Sequence, residues 1–221
     1  ASDMGTLTGG DVISYYIIAQ DNVTSPATNV GSTPSAGLVA TGVNSVTTPP
    51  TTPNKYTLRY NLSGTYTVGV GGNFTTLTAA VAAYNSACSL AGATIFELID
   101  NSYSSETYPI TINNHADASA VKTLTIRPSA TATPVFTGSV NTQLLSFSGA
   151  RFIILDGRQG GTGATKSMSF TNNHLSGNTL LFINDASNNS VRHSVIRGSS
   201  NSATRAVINF STGSAGGSTH V

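Results

Sequence analysis

The sequence predicts an all-β chain, and three observations carry that expectation. Thr, Ser, Asn and Gly supply 102 of the 221 residues, and only 9% are charged, well below the roughly 25% of ordinary soluble domains. From Ala93 onward, apolar runs of two to six residues alternate with Gly, Ser, Thr, Asn and Pro turns, the signature of short strands. The strand pattern also repeats while the loops between strands change length. Leu144 to Phe147 followed by Phe152 to Gly157 is matched by Leu180 to Ile183 followed by His193 to Gly198. Ala206 to Phe210 with Thr219 to Val221 opens a third copy, at spacings of 36 residues (Leu145 to Leu181) and 27 (Leu181 to Ile208). Constant strands joined by variable loops predict a parallel β-helix, in which inward side chains form a continuous apolar column and insertions leave at the turns.

Length and charge bound the rest. A chain of 221 residues buries a sizeable core without metal or disulfide staples. A net charge of +1 supplies no electrostatic footprint for phosphates, so nucleic acid is excluded as a partner. No apolar run approaches the ~18 residues of a membrane span, so no transmembrane segment is expected, and any export signal is expected outside these residues. The single cysteine, Cys88, forms no internal disulfide and is expected as a small buried residue on a helix.

The elements follow in order. Residues 1–47 hold two extended stretches, Asp11 to Gln20 and Gly37 to Val46, and two strands close no core alone. They are expected to be the C-terminal strands of a module whose remainder lies elsewhere. The run 47–54, TTPPTTPN, places three prolines in eight residues and predicts a stiff linker over 48–55. Residues 56–92 read as a β segment, a glycine turn and a helix over 76–91. Thr75 or Thr76 is its N-cap, Leu77, Val81, Tyr84 and Cys88 form one apolar face, and Gly92 ends it. An open β-helix end exposes strand edges, so this helix is expected to lie across the first coil as an N-terminal cap. Residues 93–221 are expected to be the start of the β-helix, truncated at its C-terminus. Its strands are placed at 95–99, 108–112, 124–126, 135–136, 144–147, 152–155, 168–170, 180–183, 191–196 and 206–210.

Four stretches carry a resemblance. GTYTVGVGGNFTTLTAAVAAYNSACSLAGATIFELIDNSYSSETYPITI (64–112), LTIRPSA and FIILDGR resemble the right-handed parallel β-helix region of secreted Bacteroidota cell-surface proteins. Those proteins are exported by type IX secretion, and some serve as adhesins in gliding motility. DVISYYIIAQDN is similar to the last strands of an immunoglobulin-like or fibronectin III-like module preceding such a region. The resemblance implies an extracellular, bacterial cell-surface location; no residues here match the family's C-terminal secretion signal.

The chemistry is sparse. Nine carboxylates are present, with no adjacent Asp pair of the kind that polysaccharide hydrolases on this scaffold use to cleave glycosides. The repeat sets Asp156 opposite Arg197 one coil apart, with Arg158 and Arg192 close in sequence. These four are the candidate binding residues, although ion pairs between neighbouring rungs are ordinarily structural and worth at most about 1 kcal/mol. No catalytic residue is expected. His115, His174, His193 and His220 show no metal-ligand spacing, so no metal or cofactor is expected; Ca²⁺ stays open without a motif. Gly69, Gly71 and Gly72 lack the lysine of a phosphate loop and read as a turn. Asn pairs at 113–114, 172–173 and 188–189 are expected at turns, stacking between coils.

The expected function is non-enzymatic: an exported, adhesin-like protein presenting a Thr/Ser/Asn-rich β-helix to glycans or surfaces. Two alternatives stand beside it. One is a carbohydrate-active lyase or hydrolase with its active site outside these residues; the other is a type IX secretion substrate held by export or gliding machinery.

Overall fold

The computed structural model describes residues 7, 9–22 and 29–211 and divides the chain into two compact units, Ala1–Arg59 and Tyr60–Val221. The first contains β1 (Val12–Tyr15), β2 (Ile17–Gln20), β3 (Val30–Thr33), β4 (Val39–Ala40), β5 (Val46–Thr48) and β6 (Asn54–Thr57). Its pairs are all antiparallel: β1 with β6, β2 with β3, and β4 with β5. The Pro/Thr stretch expected as a linker lies inside this unit, because the chain after it returns to pair Thr57 with Val12 and Asn54 with Tyr15. Thr51 N–H donates to Ala36 O at 2.9 Å and Pro50 is buried, which tie the stretch down. None of the unit's described residues joins the buried core cluster, and Val12, Tyr15, Ile17 and Tyr56 are exposed.

The second unit is all-β apart from one helix. It comprises β7 (Asn61–Val68), α1 (Leu77–Ser86), β8 (Ser89–Leu98), β9 (Ile110–Asn113), β10 (Leu124–Pro128), β11 (Val135–Gly138), β12 (Gln143–Ser148) and β13 (Ile153–Asp156). After a 3-10 turn at Gln159–Gly161 come β14 (Met168–Asn172), β15 (Asn178–Ile183), β16 (Ser190–Arg192), β17 (Ser194–Gly198) and β18 (Ile208–Phe210). These strands build three sheets, in the orders β16-β13-β10-β8-β7, β11-β14-β17 and β18-β15-β12-β9. Every pairing in them is parallel. From β10 onward the chain visits the five-, three- and four-stranded sheets in that order and then repeats it.

Alternation within the strands sorts side chains to two faces. Core-facing residues line up from strand to strand: Phe96, Ile126 and Leu155 in the five-stranded sheet, and Ile110, Leu145 and Leu180 in the four-stranded one, with the exposed Val191 and Ile208 continuing the two rows. Aromatic rings stack along the same direction, Phe136 on Phe170 at 4.5 Å and Phe147 on Phe182 at 4.4 Å. One apolar cluster runs from Leu62 to Ala186.

Helix α1 forms where Thr76 caps it, Oγ1 accepting from Ala79 N–H at 3.0 Å, and alanine fills the interior. The Glu106 carboxylate takes the Leu77 and Thr78 N–H groups at 2.6 and 2.7 Å, satisfying two donors that a helix start leaves open. Leu77, Ala80, Val81, Ala83 and Tyr84 are buried in the core cluster. On the same helix, Asn85 mimics a strand edge: its Nδ2 donates to Thr111 O at 2.7 Å and its Oδ1 accepts from Asn113 N–H at 2.9 Å. The helix is shorter than expected, ending at Ser86, and Gly92 lies within β8. Cys88 is therefore off the helix and exposed, correcting its expected burial; its thiol reaches Tyr60 O at 3.3 Å.

The expected strand 191–196 is two strands, β16 and β17, broken at His193, whose φ is 49°. The register also differs by one residue from the sequence repeat: Phe147 lies beside Phe182, so Leu145 faces Leu180 rather than Leu181. With a side-chain period of two, the alternative would turn every inward residue of β15 outward. Thr219 to Val221, the expected opening of the third copy's second strand, and His220 lie outside the described residues.

Candidate functional site

The outward row near the C-terminal ends of the five-stranded sheet is charged with alternating sign. Arg127 on β10 is in register with Glu97 on β8, and Asp156 on β13 with Arg192 on β16. Ile126 faces Leu155, so one further step sets Arg127 level with Asp156. The order across the sheet is therefore Glu97, Arg127, Asp156, Arg192, with unlike charges on neighbouring strands.

Asp156 is the centre. Its side chain is 2% exposed, although strand alternation places it outside the apolar core. The loop after β13 covers it by turning back through Arg158, whose Nε and Nη2 reach the carboxylate at 2.9 and 2.6 Å. Arg192 adds Nη2 and Nε contacts to Oδ2 at 2.9 and 3.1 Å. Gln159 then pins the loop, donating from Nε2 to Ala132 O at 3.0 Å. Burial alone would raise the Asp156 pKa, but hydrogen bonds from Arg158 and the charges of Arg192 and Arg158 outweigh it and hold the group at about 2. Both carboxylate oxygens are occupied, so Asp156 clamps Arg192 of β16 to the loop after β13. The neighbouring Arg127 to Glu97 pair, 3.2 Å apart and about a quarter exposed, is worth at most about 1 kcal/mol.

A pH dependence follows. Unfolded, Asp156 takes its proton near the ordinary 3.8, and folded only near about 2. Its stabilisation is whole above pH ~4 and fades as the pH falls toward ~2, amounting to about 2 kcal/mol. Urea denaturation of the wild type and Asp156→Asn is expected to show a stability gap at pH 6 that narrows by about 2 kcal/mol on acidification to pH ~2. A gap independent of pH would contradict the clamp.

Of the four residues expected from the sequence, the structure brings Asp156, Arg158 and Arg192 together and places Arg197 elsewhere. Arg197 lies on β17 in register with Thr171 of the three-stranded sheet, exposed at the end of a row that begins with Thr137. The expected Asp156 to Arg197 pairing is thus corrected to Asp156 with Arg192. The reason is the break at His193, which assigns 190–192 to the sheet of β13 and moves 194–198 to another. Sequence reasoning also missed Glu97 and Arg127. Their signal was present, since each charge follows an apolar inward residue: Phe96-Glu97, Ile126-Arg127, Leu155-Asp156 and Val191-Arg192.

Three further carboxylates hold backbone. Asp100 accepts from Val70 N–H at 2.8 Å, Asp117 from Leu90 N–H at 2.9 Å, and Glu106 from the start of α1. Among the described residues, no group of three His, Cys, Asp or Glu side chains gathers where it could hold a metal ion, and no helix is long and apolar enough to cross a membrane. No protein family, curated protein or solved structure matches the chain.

Proposed function

We propose that the second unit is a right-handed parallel β-helix capped by α1, and that the chain serves a non-enzymatic, adhesin-like role on a bacterial cell surface, binding glycans through polar faces. The repeated five-, three-, four-stranded order of the parallel sheets and the continuous core cluster support the β-helix reading. Right-handedness is the rule for connections between parallel strands. The strand-like bonds of Asn85 along β9 support the cap. The antiparallel pairs of the first unit fit an immunoglobulin-like or fibronectin III-like module.

One observation carries the functional reading. In the second unit, Glu97, Asp100, Glu106, Asp117 and Asp156 are each bonded to backbone N–H groups or to arginine. Five of the unit's six carboxylates, all but Asp185, are thus spent on holding the fold, and its surface is left rich in hydroxyls and amides. Such a surface suits weak contacts repeated over many copies, where linkage multiplies affinity.

The chain immobilised on beads is expected to retain at least one polysaccharide from a panel of neutral and acidic ones. The recovered polysaccharide should carry neither unsaturated products nor new reducing ends. Product formation would replace this reading with a lyase or hydrolase; retention of none would remove the glycan.

A further inference from the structure

The four-stranded sheet carries a groove that the charged row does not involve. It has a volume of about 380 Å³ and is lined by Asn178, Leu181, Ile183, Thr204, Arg205 and Asn209. We infer that it binds an acidic saccharide, one carboxylate-bearing sugar ring at a time; this rests on the glycan-binding reading above and names its ligand class.

Three polar groups with unused capacity meet there. Asn178 is fully buried; its Oδ1 accepts from Ala206 N–H at 3.0 Å, while its Nδ2 has no acceptor among the described residues. A buried amide is ordinarily paired, so a donor left over beside a groove marks where a ligand oxygen is wanted. Asn209 spends its Nδ2 on Thr204 O at 3.2 Å and on Asn178 Oδ1 at 3.3 Å, and no donor among the described residues reaches its Oδ1. Arg205 is exposed and has no ion pair among the described residues, in contrast to Arg127, Arg158 and Arg192.

The apolar part is placed by alternation. Leu180 and Phe182 of β15 are buried in the core cluster, so Leu181 and Ile183 point the other way and are half-buried beside the groove. A guanidinium, an amide donor, an amide acceptor and two aliphatic side chains match a carboxylate, ring hydroxyls and the C–H face of a sugar. A single cation suits one carboxylate and not a polyanionic backbone, which needs a basic stripe.

The test is calorimetric titration of the 221-residue chain with tri-galacturonate, its methyl ester, acetate and a neutral glucose trimer. The acid is expected to bind, and the ester, which keeps the ring and loses the charge, to bind about tenfold weaker or less. Arg205→Ala, at an exposed position, should lose the same factor for the acid while its thermal unfolding stays at the wild-type value. Equal affinity for acid and ester, or an unchanged Arg205→Ala, overturns the inference. Acetate binding as tightly as tri-galacturonate also overturns it, leaving a bare anion site. Binding of the neutral trimer alone, or silence across all three saccharides, defeats this site, while retention on the polysaccharide panel above decides the glycan reading separately.

Discussion

Gly157→Ala is expected to lower the stability of the second unit by about 3 kcal/mol, the upper end of what overpacking costs. A Cβ on Gly157 would lie 1.8 Å from His193 O and 2.6 Å from His193 C. Both are backbone atoms of the corner between β16 and β17, so no side chain can swing aside. The corner cannot back away either, because Gly157 N–H donates to Arg192 O at 2.9 Å and Asp156 clamps Arg192 through its carboxylate. Space, not backbone conformation, sets the requirement, since Gly157 is not among the positive-φ glycines. Gly92→Ala is the control: it sits in β8 of the five-stranded sheet, and its Cβ would meet only Ser63 Cβ at 3.6 Å. That variant should match the wild type within about 0.5 kcal/mol or exceed it slightly. The chain has no Trp, so urea unfolding is followed by far-ultraviolet circular dichroism. Equal midpoints for the two variants would show that the His193 corner is not held this close to Gly157.

The same contact explains what was legible in the sequence and what was not. Strand positions were readable because inward and outward residues differ in polarity: Phe96, Ile126 and Leu155 alternate with Glu97, Thr125 and Asp156. The β-rich class and the α1 face of Leu77, Val81 and Tyr84 followed from the same kind of periodicity. The corner at His193 was hidden. A φ of 49° at a histidine between Arg192 and Ser194 leaves no compositional mark of the kind glycine leaves, so Val191 to Ile196 reads as one strand. That single omission carried Arg197 into the place of Arg192. Cys88 was misplaced for a related reason: its spacing from Tyr84 continues the helical period, but Ala87 leaves the helix with ψ at 140°. Periodicity reports which face a residue would take, and not whether the element still continues.

The buried aromatic stack offers a measure of how much the core depends on the spacing of its parallel strands. Phe136 is fully buried between Tyr103, 4.6 Å away, and Phe170, 4.5 Å away. Neither neighbour is free to close a gap. Tyr103 is anchored by its hydroxyl, which donates to Val68 O at 2.5 Å, and Phe170 is held by the strand register that pairs it with Phe136. Phe136→Ala should therefore leave an open cavity and cost about 3–5 kcal/mol. Phe136→Leu keeps much of the buried area and forfeits the ring contacts, each worth about 0.5–1.5 kcal/mol beyond area; an overall cost of about 1–2 kcal/mol is expected. Urea midpoints of the two variants separate the contributions. A leucine as costly as alanine would mean that ring geometry, and not apolar burial, sets the spacing of the strands. A leucine near the lower figure would mean that burial dominates, and that the stacked rings follow a spacing the parallel backbone ladders have already imposed.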